Sequence, residues 1–377
     1  MLLATAVNAL YVLLIQVVAL LSLDAESFGQ FSLQYLVFAL ASSISLSFVS
    51  EAWIRTDLYG AGRSSWASYS AVSVYLAAAA AVVAAAVGFV VEGTPAPALI
   101  GGTAVGAAVY RGSARFFFTR ENSPVIVGDA IGVVFILAGW LAAALTGTLS
   151  LLAVTAIWAI GAIGSSLFSR PPRLIRPRII PLWYRRHRAS IVPLLRDSVL
   201  MDAGAVGTPY IMLPMLGVAQ FGIYRAVSNL SAPARLLLTP LRPVLMSTPI
   251  ARQRRASWLG AVVGTSVLIG AAAFLLLAVA DAVDLFGVVG DLAAYAVPVA
   301  IYVAFNSIGS YYMIVARGHL APRPLFLGRA FHTTVAIALP IAGTLLGGLE
   351  GAIWGYTMCT ALWATGWSVL VLSRRGA

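Results

Sequence analysis

RPPRLIRPRIIPLWYRRHRASIVPLLR, residues 170 to 196, carries eight arginines and no acidic residue. It is too basic and too rich in proline to cross a bilayer as a helix. On either side the chain is almost unbroken apolar sequence, 169 residues before it and 181 after it. The stretch therefore divides a membrane protein into two halves of similar size, 1–169 and 198–377, joined by a linker over 170–197.

Composition sets the class. The chain is 60% hydrophobic and 10% charged, with mean hydropathy +0.93, far more apolar than a soluble fold of this length needs. The net charge of +11 comes from 24 arginines and no lysine against 13 acids. In a soluble protein that balance would point to nucleic acid; here it points to membrane topology and to anionic lipid headgroups on the cytoplasmic face, with no nucleic acid partner. The single cysteine, Cys359, excludes a disulfide framework and any cysteine-based metal site. The three histidines are scattered, and no cluster suggests a metal, a cofactor or a nucleophilic triad. The N-terminus, MLLATAVNALYVLLIQVVALLSL, lacks a basic leader and a small-residue cleavage site and reads as the first span.

A hydropathy window gives twelve spans: 2–22, 31–50, 67–91, 97–119, 124–145, 149–169, 198–217, 220–248, 258–280, 292–316, 329–347 and 352–373. The expected fold is an all-α polytopic membrane protein of two six-helix bundles. Among the connections, arginines fall only in the even-numbered ones and in the C-terminal tail, whereas the odd connections hold Asp24, Glu26, Glu92, Asp281, Asp284, Asp291 and Glu350 and no arginine. By the positive-inside rule both termini and the central stretch are cytoplasmic, in a plasma membrane. The halves also resemble each other. Phe28-Gly29-Gln30-Phe31 opens the second span and Phe221-Gly222-Ile223-Tyr224 the eighth, and Arg111-Gly112 near the inner end of the fourth span is matched by Arg317-Gly318 at the end of the tenth. A six-span offset implies parallel repeats related by an axis along the membrane normal.

Polar residues inside spans need a partner or a wet cavity. The eighth span places Arg225, Ser228, Asn229, Ser231, Arg235, Thr239 and Arg242 at helical spacing on one side. Arg242 reads as snorkelling to the inner headgroups. Arg225 sits about six residues, ~9 Å, from the outer end and either snorkels outward or faces a cavity; the cavity is the favoured expectation. Asn8 and Gln16 in the first span, and Asn306 and Ser310 in the tenth, line a cavity or bond between helices. Arg111 and Arg115 lie at the depth of Asp129 in the antiparallel fifth span and are expected to pair with it, as is Asp202 with Arg235 or Arg242. The central stretch reads as an interfacial segment and as a flexible tether, which do not exclude each other.

These residues resemble the polysaccharide and lipid-linked oligosaccharide flippases of the multidrug/oligosaccharidyl-lipid/polysaccharide exporter superfamily. The likeness rests on Ser27-Phe28-Gly29-Gln30-Phe31-Ser32-Leu33, on Asp202 with Phe221-Gly222-Ile223-Tyr224-Arg225-Ala226, on Leu241-Arg242-Pro243-Val244-Leu245, and on Gly348-Leu349-Glu350-Gly351-Ala352. It implies two bundles facing a central cavity, alternating access, no cofactor, and a polyprenyl-pyrophosphate-linked glycan as substrate, in a bacterial cell envelope alongside other polysaccharide assembly proteins. Arg225, Ser228, Asn229, Arg235, Asn8, Gln16 and Asn306 are the cavity candidates. Two rival classes stand beside it. A small-molecule or multidrug antiporter of the same fold wants a carboxylate deep in a bundle. A membrane glycosyltransferase finds an acidic pair in Asp24-Ala25-Glu26, but on a loop too short to cradle a sugar.

Overall fold

The computed structural model describes residues 2–58, 65–118, 122–167, 172–173, 177–232, 238, 245, 248–283, 287–320 and 322–373. Among these there is no strand; the fold is that of an all-α polytopic membrane protein. The first six spans are α1 (Leu2–Ser22), α2 (Ala25–Ser45), which continues through a π-turn (Leu46–Ser50) into α3 (Glu51–Leu58), α4 (Trp66–Glu92), α5 (Pro95–Phe117), α6 (Asn122–Leu145) and α7 (Leu151–Ser166). Their ends follow local chemistry. Ser65 caps α4 by accepting from the Ser68 N–H, and Gly93, at φ 69°, closes it by returning its N–H to Phe89. Ser150 caps α7 in the same way through Ala153, and Pro95 sits at the start of α5, where its missing N–H costs nothing.

Helix α8 (Ile179–Asp202) follows, then a second π-turn (Ala203–Gly207), α9 (Thr208–Asn229), α10 (Ile250–Gln253), α11 (Ala256–Ala282), α12 (Val288–Asp291), α13 (Ala296–His319) and α14 (Pro322–Leu372). Two of these are not single rods. α9 breaks at Gly217, at φ 74°, where the seventh and eighth expected spans meet. α14 breaks at Gly347 and Gly348. Across that break Gly343 and Gly351 touch backbone to backbone: a Cβ on either would lie 2.0 Å from the other's carbonyl oxygen. Eight residues of continuous helix would hold them ~12 Å apart, so the chain reverses there and α14 is a hairpin of the eleventh and twelfth spans.

The chain folds into two compact units, Met1–Leu23 with Gln30–Asp202, and Asp24–Gly29 with Ala203–Ala377. The arginine-rich helix α8 thus belongs with the first unit. It is docked rather than loose: Trp183 and Ile191 are buried with Val49, Ala52, Trp53, Tyr69 and Val72 in one apolar cluster. The Trp183 indole N–H donates to the Phe48 carbonyl at 2.9 Å, and the Ser47 and Ser198 hydroxyls bond at 2.5 Å. Both ends of α8 therefore close on the π-turn, with Pro193 between them.

The first five residues of α2, which with Asp24 group with the second unit, explain the repeated Phe-Gly pattern. A Cβ on Gly29 would fall 2.2 Å from the Val218 carbonyl oxygen, and a Cβ on Gly222 would fall 2.0 Å from that of Ala25. Each glycine faces the carbonyl four residues before the other, so the contact is reciprocal. Phe28 and Phe221 beside them are both fully buried. In a bilayer no hydrophobic force drives helices together, and such close backbone approach takes its place.

Gly222→Ala forces these helices apart and is expected to cost about 1–3 kcal/mol, seen as a lower melting temperature in detergent; an unchanged melt contradicts the crossing. The docking of α8 is expected to depend on pH. His187 is 1% exposed and stacks on Trp183 with ring centroids 4.2 Å apart. Burial, then the charge of Arg186, holds its imidazole down to about 4, against a backbone hydrogen bond to Ala52 that acts the other way. The docked histidine is neutral, and an unfolded one takes a proton below its ordinary value of 6.5. Stability from this group is therefore intact above pH 6.5 and lost as pH falls from there to about 4. Hydrogen-exchange protection of α8 amides should drop over that window, and His187→Gln should flatten the dependence; identical profiles would contradict it.

Candidate functional site

In the first unit, α1, α5, α6 and α7 converge on one buried guanidinium. Arg111, 5% exposed, donates to Asp129 Oδ1 at 2.5 Å, to Asn8 Oδ1 at 2.9 Å and to Ser165 Oγ at 3.0 Å. Its Cζ lies 3.6 Å from the centre of the Tyr11 ring. Arg115, one helical turn on, donates through Nε to Asp129 Oδ2 at 2.7 Å. The absence of a side chain at Gly132 makes room for Tyr11, since a Cβ there would lie 2.7 Å from its ring. Each carboxylate oxygen of Asp129 thus accepts from a different guanidinium. Charge-assisted bonds of this kind offset the cost of taking ions out of water only when the remaining donors are also met. Asn8, expected to line a cavity, is one of those partners.

In the second unit the polar residues gather where α9, α13 and the second limb of α14 meet. The Tyr302 hydroxyl bonds Ser231 Oγ at 2.8 Å and Tyr356 OH at 3.3 Å. Asn306 Nδ2 donates to the same hydroxyl at 3.4 Å. The rings of Tyr302 and Tyr356 stack at 4.8 Å, and Tyr224 lies 5.4 Å from Tyr356. Arg225, half-buried on α9, acts electrostatically on the phenols of Tyr210 and Tyr224. Ser228 donates to the Arg225 carbonyl at 2.8 Å, so its hydroxyl is spent on its own helix. Asn229 is buried.

The other expected residues are dispersed. Gln16 donates to the Tyr35 hydroxyl at 2.8 Å. Asp202, at the end of α8, has a hydrogen bond from Ser43. Arg235 and Arg242 lie outside the described residues, and with them the expected pairing of Asp202. Ser231 belongs to the polar set of the eighth span; Tyr11, Ser165, Tyr302 and Tyr356 join these clusters without a place in the sequence reading. Two carried a signal: Tyr11 is three residues from Asn8 and Tyr302 four from Asn306, spacings that put each pair on one helix face.

No protein-family model and no curated protein matches the chain. Solved structures do. The chain is similar to an inward-facing multidrug resistance MATE family transporter of the MOP superfamily, with TM-score 0.65 and 13% identity over 96% of this chain and 93% of that one. It is similar to the lipid II flippase MurJ in an inward closed conformation, with TM-score 0.63 and 12% identity over 97% of this chain and 84% of that one. The eukaryotic MATE transporter AtDTX14 follows at TM-score 0.52 and 16% identity, covering 99% and 94%. At such identities the likeness is one of fold.

The cluster around Arg111 orders the effects of substitution. Asp129→Ala leaves two guanidiniums facing each other, one of them buried, and is expected to cost about 3–5 kcal/mol. Arg115→Ala keeps the Arg111–Asp129 pair but leaves Asp129 Oδ2 without its donor, so a smaller loss of about 1–3 kcal/mol is expected. Melting temperatures of the two variants in detergent decide this; equal losses, or a worse Arg115→Ala, contradict it.

Proposed function

We propose that the chain is a membrane transporter that flips a polyprenyl-pyrophosphate-linked oligosaccharide or polysaccharide precursor from the cytoplasmic to the outer leaflet by alternating access. The fold it shares with MATE transporters and with MurJ supports transport and leaves the cargo open. The observation that favours an anionic cargo is the condition of Asp129. Both its oxygens are taken by arginines, so it offers no open oxygen to the coupling cation that an antiporter demands. Arg225, half-buried in an apolar span, offers what a pyrophosphate headgroup needs, a planar cation that stays charged and grips oxygens in pairs. The lipid tail stays in the bilayer while the glycan crosses. The arginine distribution supports a plasma membrane orientation with both termini and the arginine-rich stretch over 170–197 in the cytoplasm. Asp202, with Ser43 as a hydrogen-bond partner, keeps a small-molecule antiporter as the second reading.

In a strain lacking the chain, one complete lipid-linked glycan should accumulate on the cytoplasmic leaflet, and the wild-type chain should clear it. Arg225→Ala should reach the membrane in normal amounts and fail to clear it, while Arg225→Lys retains part of the activity because the charge survives without the bidentate geometry. Full activity of Arg225→Ala contradicts its role. Sodium- or proton-driven export of a cationic drug, with an unchanged glycan pool, favours the second reading.

A further inference from the structure

The two faces of α8 differ in a way that docking alone does not explain. Its inner face, Trp183, His187, Ser190 and Ile191, is buried. At ~100° per residue the opposite face carries Arg185 and Arg188 ahead of Pro193, and Arg196 follows beyond it, all exposed. One turn before Arg185 the same face carries Leu182, 58% exposed. A solvated helix face does not need a large aliphatic residue beside its charges. The surrounding stretch has no acidic residue from 170 to 196, so the positive field is not balanced within it.

Cations beside an aliphatic side chain match one surface in particular, an anionic bilayer interface, where guanidiniums hold phosphates and aliphatic residues enter the acyl boundary. In the chain the helix is followed, through the second π-turn, by the apolar helix α9. We propose that this outer face binds the phosphate headgroups of anionic phospholipids and that the bound lipid holds α8 on α2 and α3. Trp183 and Ser198 anchor opposite ends of the helix to Phe48 and Ser47, so a load on the outer face is transmitted to the π-turn of α2. Lipid composition thereby sets how firmly that turn is clamped, whatever the transported substrate.

The test uses the full-length chain in nanodiscs of phosphatidylcholine alone or with phosphatidylglycerol. A thiol is introduced by Leu182→Cys, since the native Cys359 is buried. Maleimide labelling of the new thiol should slow about tenfold in the anionic discs, three arginines each adding a modest attraction, and high salt should remove the difference. Adding inorganic phosphate to the phosphatidylcholine discs should not reproduce it. Arg185→Gln, Arg188→Gln and Arg196→Gln together should abolish the slowing; should that variant fail to fold, the salt titration of the Leu182→Cys protein decides alone. Equal labelling in both discs, slowing by soluble phosphate, or slowing that survives high salt overturns the proposal.

Discussion

A guanidinium placed among hydrocarbon must find its hydrogen-bond partners inside the protein, and in the first unit that demand decides where four helices meet. Arg111 from α5 takes Asp129 from α6, Asn8 from α1 and Ser165 from α7. Remove any one and a donor is stranded where water does not reach. The requirement orders the rest of the cluster. Tyr11 covers the guanidinium with its ring, Gly132 yields space to Tyr11, and Arg115 takes the second oxygen of Asp129. A bundle pinned in this way is suited to act as one rigid body.

In the second unit phenols form the hydrogen-bonded hub, beside Arg225. Tyr302 acts as the hub, serving Ser231, Tyr356 and Asn306. Neutral bonds are weaker than charge-assisted ones, and close packing carries more of the load. Gly309 accepts the Trp363 ring where a Cβ would lie 2.3 Å from it, and the α14 hairpin closes on Gly343 and Gly351. The Gly29–Gly222 crossing is the same device used reciprocally.

Much of this was legible in the sequence. The hydropathy spans overlap the described helices because burial in lipid demands long apolar helices and little else. Asp129 was matched to Arg111 and Arg115 because charges at one depth of adjacent spans have few alternatives. The Phe-Gly repeat was visible as a pattern, but its meaning was not, since a glycine's neighbour four residues before another glycine is a tertiary fact. The arginine-rich stretch read as an interface and a tether; that Trp183, His187 and Ile191 dock it on the first unit depends on an aromatic pocket built from residues 48 to 72, distant in sequence. Tyr11 and Tyr302 were passed over because a tyrosine in a span reads equally well as plain apolar bulk.

The central claim is that an anionic lipid-linked headgroup crosses the membrane through this protein. Its most direct measurement is in proteoliposomes containing the purified chain and a fluorescent polyprenyl-pyrophosphate-linked sugar, quenched by an agent that cannot cross the bilayer. The account predicts that the quenched fraction rises beyond the outer-leaflet share found in protein-free vesicles, and that Arg225→Ala returns it to that share. The same quenched fraction with and without the wild-type chain would contradict it.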